Sequence, residues 1–378
     1  MDTEELPPCK QDKVHYKGGE LSRETLNEKP WSSPQVSSLE MNESSTRDTL
    51  SFTVYVGMGS ARYVLLTVVA LAYIATILAN ITLMLLIFLD TSLHKPMYIF
   101  LFSLILNGLV GSTAVWPNVM NILSTNIPLI SYEGCLVQVF LMGTYGACNF
   151  SMLTVMAYDR FISIFKPLQY HTIITPQKVK QLLFVANFSP AAMVLGQIYL
   201  TSQLPLCRYK VHKIFCDNLG ITSLSCDDSH TIQSRVTNLY GIIITIVIAA
   251  LSVLLILLSY VKIMVLSLKA SRNARKKAFK TCSPHIIIFV NFSLASLFSL
   301  FYNRFNTYLP GEANILLSMN YILVPPLLQP IIYGIKTQEI RQSFSKVRRR
   351  TVFAMSECLF APSSVFSLCV TGRLTQTM

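Results

Sequence analysis

The chain has 378 residues, 52% of them hydrophobic and only 13% charged, with a net charge of +12. An average soluble protein has about a quarter of its residues charged. Here seven windows, 63–89, 96–132, 134–158, 181–207, 236–261, 281–303 and 313–335, hold no Asp, Glu, Lys or Arg at all. That distribution excludes an ordinary soluble globular enzyme. It also argues against a porin-type barrel, whose strands need only ~10 residues and alternate polar with apolar.

The chain opens on a polar stretch, 1–60, rich in Ser, Glu and Lys, which is expected to form a flexible extracellular segment. It lacks the apolar core of roughly 7–15 residues that marks a cleavable signal peptide, so the first span must itself direct the chain to the membrane. Asn42, in Asn42-Glu43-Ser44, is the one glycosylation sequon placed in such an accessible segment. Those at Asn80, Asn149, Asn187 and Asn291 lie inside spans.

Each charge-free window exceeds the ~20 residues that cross the hydrocarbon core as a helix. Backbone amides cannot stay unpaired in lipid, so every window is read as helical. The second, 37 residues long, is too long for one crossing. It predicts a helix from about Met97 to Met120, then a neutral external loop, Asn121–Tyr132, containing Pro128. The fold class is therefore an all-α membrane protein: a seven-transmembrane helix bundle over 61–335, followed by a tail, 336–378.

Orientation follows from the distribution of basic residues. The N-terminal segment and the loops on its side carry 12 basic and 15 acidic residues, against 19 basic and 4 acidic on the other side. The second side should be cytoplasmic. That gives a multi-pass plasma-membrane protein with its N-terminus outside and its C-terminus inside. The basic excess reads as contact with lipid headgroups and a cytoplasmic partner rather than with nucleic acid.

No loop between spans exceeds the 28 residues of 208–235, which leaves no room for a catalytic domain. The chain shows no P-loop, nucleophile elbow, repeat or metal-type His/Cys cluster. No catalytic residue, metal ligand or cofactor is expected. A transporter would need ionisable residues or paired broken helices within the spans, and neither is present. Cys135 falls at the outer end of the third span, and Cys207, Cys216 and Cys226 sit in or beside the longest external loop. Four thiols on the oxidising side can pair in three ways, and a bond from the loop to Cys135 would pin it over the bundle mouth. Cys148 and Cys282 fall within spans, as packing residues.

Four strings occur in order on successive spans: LHKPMYIFL (93–101), MAYDRFISIFKPLQY (156–170), KAFKTCSPH (277–285) and PPLLQPIIYG (325–334). Together they resemble the odorant-receptor family of rhodopsin-like G-protein-coupled receptors, above all its teleost-type members, from about Met41 to Arg350. The resemblance implies a receptor that binds a small-molecule odorant within the bundle and activates a stimulatory heterotrimeric G protein. Asp159 and Arg160 would be the resting ion pair, from which Arg160 swings to the G protein. Pro330 and Tyr333 fall on the seventh-span switch, and His285 and Cys282 on the inner motif of the sixth. Cys135 and Cys216 match the family's bond between third span and loop, and Cys207 and Cys226 its second loop bond. Lys336–Val347 resembles the short amphipathic surface helix after the last span, with Ile340, Phe344 and Val347 on one face. Gln329 stands where the family usually has Asn, and Asn107-Gly108 where most rhodopsin-like receptors carry an acidic residue. No strong sodium site is expected there. The same fold serving a peptide or lipid ligand is the nearest alternative, and the sequence does not set an oligomeric state.

An odorant cavity should be mostly apolar with few polar anchors. Met142, Gly143, Gly146 and Ala147 form one turn toward the outer half of the third span, where the two glycines and the alanine leave either ligand space or room for close helix packing. Met319 and Ile322 fall on a similar face of the seventh span, with Phe301 and Tyr302 as weaker candidates. No carboxylate or Lys lies within a span, which points to a neutral or weakly polar ligand. Arg208, Asp227, Asp228, Arg235 and Arg304 line the outer rim and could hold a charged one. On the inner side, 262–280 carries seven basic residues and no acidic one. It suits lipid headgroups and an acidic G-protein surface.

Overall fold

The computed structural model describes residues 49–226, 232–269, 271–305, 315 and 319–359. Asn42, Asp227 and Asp228 lie outside them, as do the side chains of Phe301, Tyr302 and Arg304. Six described helices are long and apolar enough to cross a membrane. They are α1 (Ala61–Leu89), α2 (Pro96–Thr125), α3 (Tyr132–Phe165), α4 (Pro176–Ser202), α5 and α6 (Arg272–Phe305). Helix α5 runs as Ile232–Thr245, a π turn Ile246–Ala250, and Leu251–Lys269. A seventh, α7, is described over Val324–Lys336, and α8 (Gln338–Leu359) follows it.

Local sequence sets these boundaries. Pro96 and Pro176 open α2 and α4 at the first turn, where a missing N–H costs nothing. The Ser131 hydroxyl accepts the Gly134 N–H at 3.1 Å to cap α3, and Thr175 accepts the Lys178 N–H at 3.2 Å to cap α4. Helix α2 continues past the expected end near Met120. Thr125 still bonds back to the Asn121 carbonyl at 2.8 Å, and the helix stops only where Asn126 turns left-handed, with φ 60°. A loop with no charge in it gave the sequence nothing to mark that end. Helix α8 likewise runs to Leu359, beyond the expected Val347, with Ile340 buried and Phe344 half exposed.

The helices differ sharply in how much of their surface they bury. In α3, 61% of the most apolar stretch is buried, against 22% in α1 and 11% in α5. So α3 is the central post, while α1 and α5 keep most of their Leu, Ile and Val side chains for lipid. Lipid gives apolar helices no hydrophobic reason to associate, so close packing must hold them. At Gly111 of α2 an added Cβ would clash with the Tyr145 ring on α3. Glycine there is what lets the two helices meet.

One end of the bundle carries a small three-stranded sheet in the order β2–β1–β3. Its central strand is β1 (Thr49–Phe52), antiparallel to β2 (Leu129–Ser131) and parallel to β3 (Lys210–Val211). Residues 49–52, which the sequence reading placed in the flexible N-terminal segment, thus tie together two loops. Leu50, Phe52 and Tyr55 are buried in an apolar cluster with Trp116, Val211 and Phe215. The Tyr55 hydroxyl donates to the Ile214 carbonyl at 2.6 Å.

At the opposite end α8 docks against the loop after α1. There the Asp90 carboxylate accepts the Ser92 N–H at 3.1 Å and faces Lys346 at 3.6 Å. The Ser343 hydroxyl beside it, aided by Ser92 and Lys346 and opposed by burial, lowers the Asp90 carboxyl to about 2. A depressed carboxyl favours the docked state above its unfolded value near 3.8 and loses that contribution only as pH falls toward 2. The contact is therefore constant at any physiological pH.

Candidate ligand cavity and coupling site

Beneath the sheet lies a cavity of about 640 Å³, bounded by α3, α4, α5, α6, Tyr321 and the loop that carries Asp217. That volume lies within the usual range for small-molecule sites, roughly 300–1,000 Å³. Met142, Gly143, Gly146 and Ala147 all line it. Small size matters at both glycines. A Cβ at Gly146 would sit 2.5 Å from the Tyr321 hydroxyl, and one at Gly143 would sit 2.8 Å from Val194. Ligand room and close packing are thus both served by the same turn. Met319 and Ile322 are placed differently: they pack into the apolar cluster at the sheet end, and Tyr321 between them lines the cavity instead. The π turn of α5 contributes Ile246, Ile248 and Ala249 to the wall.

Most of the wall is aliphatic or aromatic, but one corner is polar. Gln197, Asn218 and Thr237 meet there. The Thr201 hydroxyl donates to Asn218 Oδ1 at 2.7 Å, and the Gln197 amide reaches Thr201 and the Thr237 carbonyl. Asp217 is the one charged residue among the described lining residues. Its carboxylate is already committed, to Lys213 and to the Gly220 N–H at 3.1 Å.

Two disulfides hold the roof. Cys135 bonds Cys216, and Cys207 bonds Cys226, with Cα–Cα distances of 5.4 and 4.7 Å. Of the three pairings that were open on the residues alone, this is the one that the family resemblance implied. The first ties the loop to the top of α3, where the Cys216 N–H also donates to Gln138 Oε1 at 2.8 Å. Cys148 and Cys282 are free and buried.

The opposite end of α3 carries the Asp159–Arg160 pair. Arg160 Nη2 lies 2.8 Å and Nε 3.2 Å from Asp159 Oδ2. Asp159 is fully buried and Arg160 nearly so. Its other oxygen, Oδ1, accepts the Tyr170 hydroxyl at 2.6 Å. Burial, reinforced by Asp159, raises the Tyr170 phenol, so its proton stays in place. A second tie crosses the same end. His285 on α6 bonds the Leu153 carbonyl of α3 through Nε2 at 3.1 Å and the Tyr260 hydroxyl of α5 through Nδ1. Tyr333 is fully buried in an apolar cluster with Leu153, Tyr260 and Cys282, and its hydroxyl has no hydrogen-bond partner among the described residues. Pro330, inside α7, is buried one turn away.

Sequence reasoning passed over three of these residues. Tyr170 ends one of the quoted strings, but only the folded loop brings it back eleven residues to Asp159. Tyr260 had no partner until α5 and α6 came together. Gln197 did carry a signal, as an amide within an apolar window, and only the cavity gives it meaning.

The fold is a rhodopsin-type seven-helix bundle. Squid rhodopsin superposes with a TM-score of 0.59 over 76% of this chain and 80% of its own, at 15% identity. A family profile described as olfactory receptor matches residues 69–350. Human olfactory receptor 52D1 is 33% identical over 82% of this chain and 98% of its own length. Human olfactory receptor 52A5 is 33% identical over 73% and 86%, and human olfactory receptor 51E1 is 34% identical over 76% and 89%. The chain belongs to the olfactory receptor family, whose members are receptors and not enzymes.

Proposed function

We propose that this chain is an odorant receptor of the plasma membrane, with its N-terminus, the glycan acceptor Asn42 and the sheet outside and α8 in the cytoplasm. A small molecule with a largely apolar body binds in the cavity, and a stimulatory heterotrimeric G protein binds at the Arg160 end. The observation that carries this reading is that both places are built on one helix: α3 supplies Met142, Gly143, Gly146 and Ala147 to the cavity and Asp159 and Arg160 to the other end. A ligand shifts the equilibrium only if it binds one arrangement of the helices better than the other. Here it would do so by moving α5 and α6 against α3. The Asp159–Arg160–Tyr170 and Leu153–His285–Tyr260 ties would then part, and Tyr333 would take one of the freed partners. The basic stretch 262–280, which the structure forms from the facing ends of α5 and α6, and Arg348, Arg349 and Arg350 supply a positive field for acidic lipid and for an acidic face of the G protein.

The test is a cAMP reporter screen with the surface-tagged receptor, run beside Arg160→Ala. Agonists should raise cAMP in the parent and leave the mutant silent at equal surface expression. A mutant that signals normally would remove the coupling assignment.

A further inference from the structure

The cavity's polar corner contains a hydrogen-bond acceptor that nothing in the protein uses. Gln197 is 4% exposed, and its Oε1 has no partner. Which end of the amide is the oxygen is settled by its neighbours. The Thr237 carbonyl can only accept, at 3.3 Å from Nε2. The single Thr201 proton is spent on Asn218 Oδ1, so Thr201 Oγ1 also takes an amide proton from Gln197, at 3.4 Å. Both Nε2 hydrogens are therefore engaged, and the oxygen must point the other way. It lies against Gly241 of α5, another residue of the cavity lining, where an added Cβ would stand 3.2 Å from it. A buried acceptor left unpaired costs free energy that a ligand donor can recover. Ser296 on α6, 4% exposed and also without a partner, offers a second group on the same wall.

We propose that Gln197 is a specificity-determining residue of the cavity, reading an O–H or N–H donor on the ligand. The ligand class is an aliphatic or terpenoid body that carries a hydroxyl or amide N–H. The same body with that donor masked binds poorly. This deepens the receptor reading above and depends on it only for signalling, not for binding.

The experiment measures binding and signalling separately. Purified full-length receptor in lipid nanodiscs is titrated, by ligand-observed NMR and thermal shift, with n-alkanols from butanol to decanol, their methyl ethers and the matching carboxylic acids. The same panel is run in the cAMP reporter. At least one alkanol should bind about tenfold or more tightly than its ether, as one hydrogen bond to a buried acceptor allows. Gln197→Leu should erase that difference and leave ether binding in place. Gly241→Ala, whose added Cβ would stand 3.2 Å from Oε1 and 3.6 Å from Nε2, should also lower the alkanol preference by crowding the amide, and a thermal-shift baseline equal to the parent's shows that each variant is folded. The proposal is overturned if ethers match alkanols, if the preference survives both variants, if only the carboxylic acids bind, or if no member of the panel binds. Selective binding with no cAMP response at any concentration would instead sink the coupling reading and leave the role of Gln197 standing.

Discussion

At the scale of single residues, Asp159 shows how a charge can be kept at the end of a buried helix. Its two oxygens are shared between Arg160 and Tyr170, so it meets its burial with one ion pair and one short hydrogen bond. Parting Arg160 from a carboxylate so shielded from water leaves a buried charge without its partner, so the latch opens only when the helices rearrange around it. Tyr170→Phe keeps the ring packing and deletes the hydroxyl. A hydrogen bond to a carboxylate contributes about 1.5–3 kcal/mol, so the loss should favour the unlatched state and raise ligand-independent cAMP several-fold at unchanged surface expression. Basal cAMP equal to that of the parent would show that Tyr170 does not hold the resting state.

Among the elements, the α2–α3 contact is the most sensitive to side-chain size. Gly111 lies against the Tyr145 ring with no space for a methyl group, and Tyr145 in turn packs edge-on against Phe292 of α6. Overpacking a core of this kind costs about 1–3 kcal/mol. Gly111→Ala should therefore lower the melting temperature of the purified receptor and reduce its surface level. An unchanged melting temperature would mean that α2 can slide away freely. Helix α8 is placed by different means, at the polar boundary. Ile340 is buried, while Asp90 and Lys346 face each other across it.

For the whole molecule, the sheet is the feature that spans the longest sequence distances. It binds residues 49–52 to loops more than 70 and 150 positions further on. This end of the bundle meets water, so apolar burial does stabilise it, unlike packing within lipid. Burying a side chain such as Leu50 or Phe52 contributes about 1.5–3 kcal/mol. A receptor deleted through residue 48 should reach the surface as the parent does, whereas one deleted through residue 55 should be retained inside the cell. Surface labelling of the two deletions decides this, and equal labelling would show that β1 is dispensable for folding.

The sequence by itself determined what depends on composition along the chain. A helix that crosses lipid must be long, apolar and uncharged, so the spans could be read from the charge-free windows, and the four ordered strings pointed to the family. The candidate residues Asp159, Arg160, Tyr333 and Pro330 and the third-span turn Met142–Ala147 were also in view, because each sits within a local pattern. Tertiary structure alone decided what depends on distant residues meeting. It paired β1 with two remote loops, returned Tyr170 to Asp159 and joined His285 to Tyr260. It put Tyr321 rather than Met319 or Ile322 on the cavity wall, and it left the Gln197 oxygen buried beside Gly241 without a hydrogen-bond partner. Hydropathy records which solvent each residue meets, whereas hydrogen bonding and close packing between helices depend on rotation about each axis, which no window average contains.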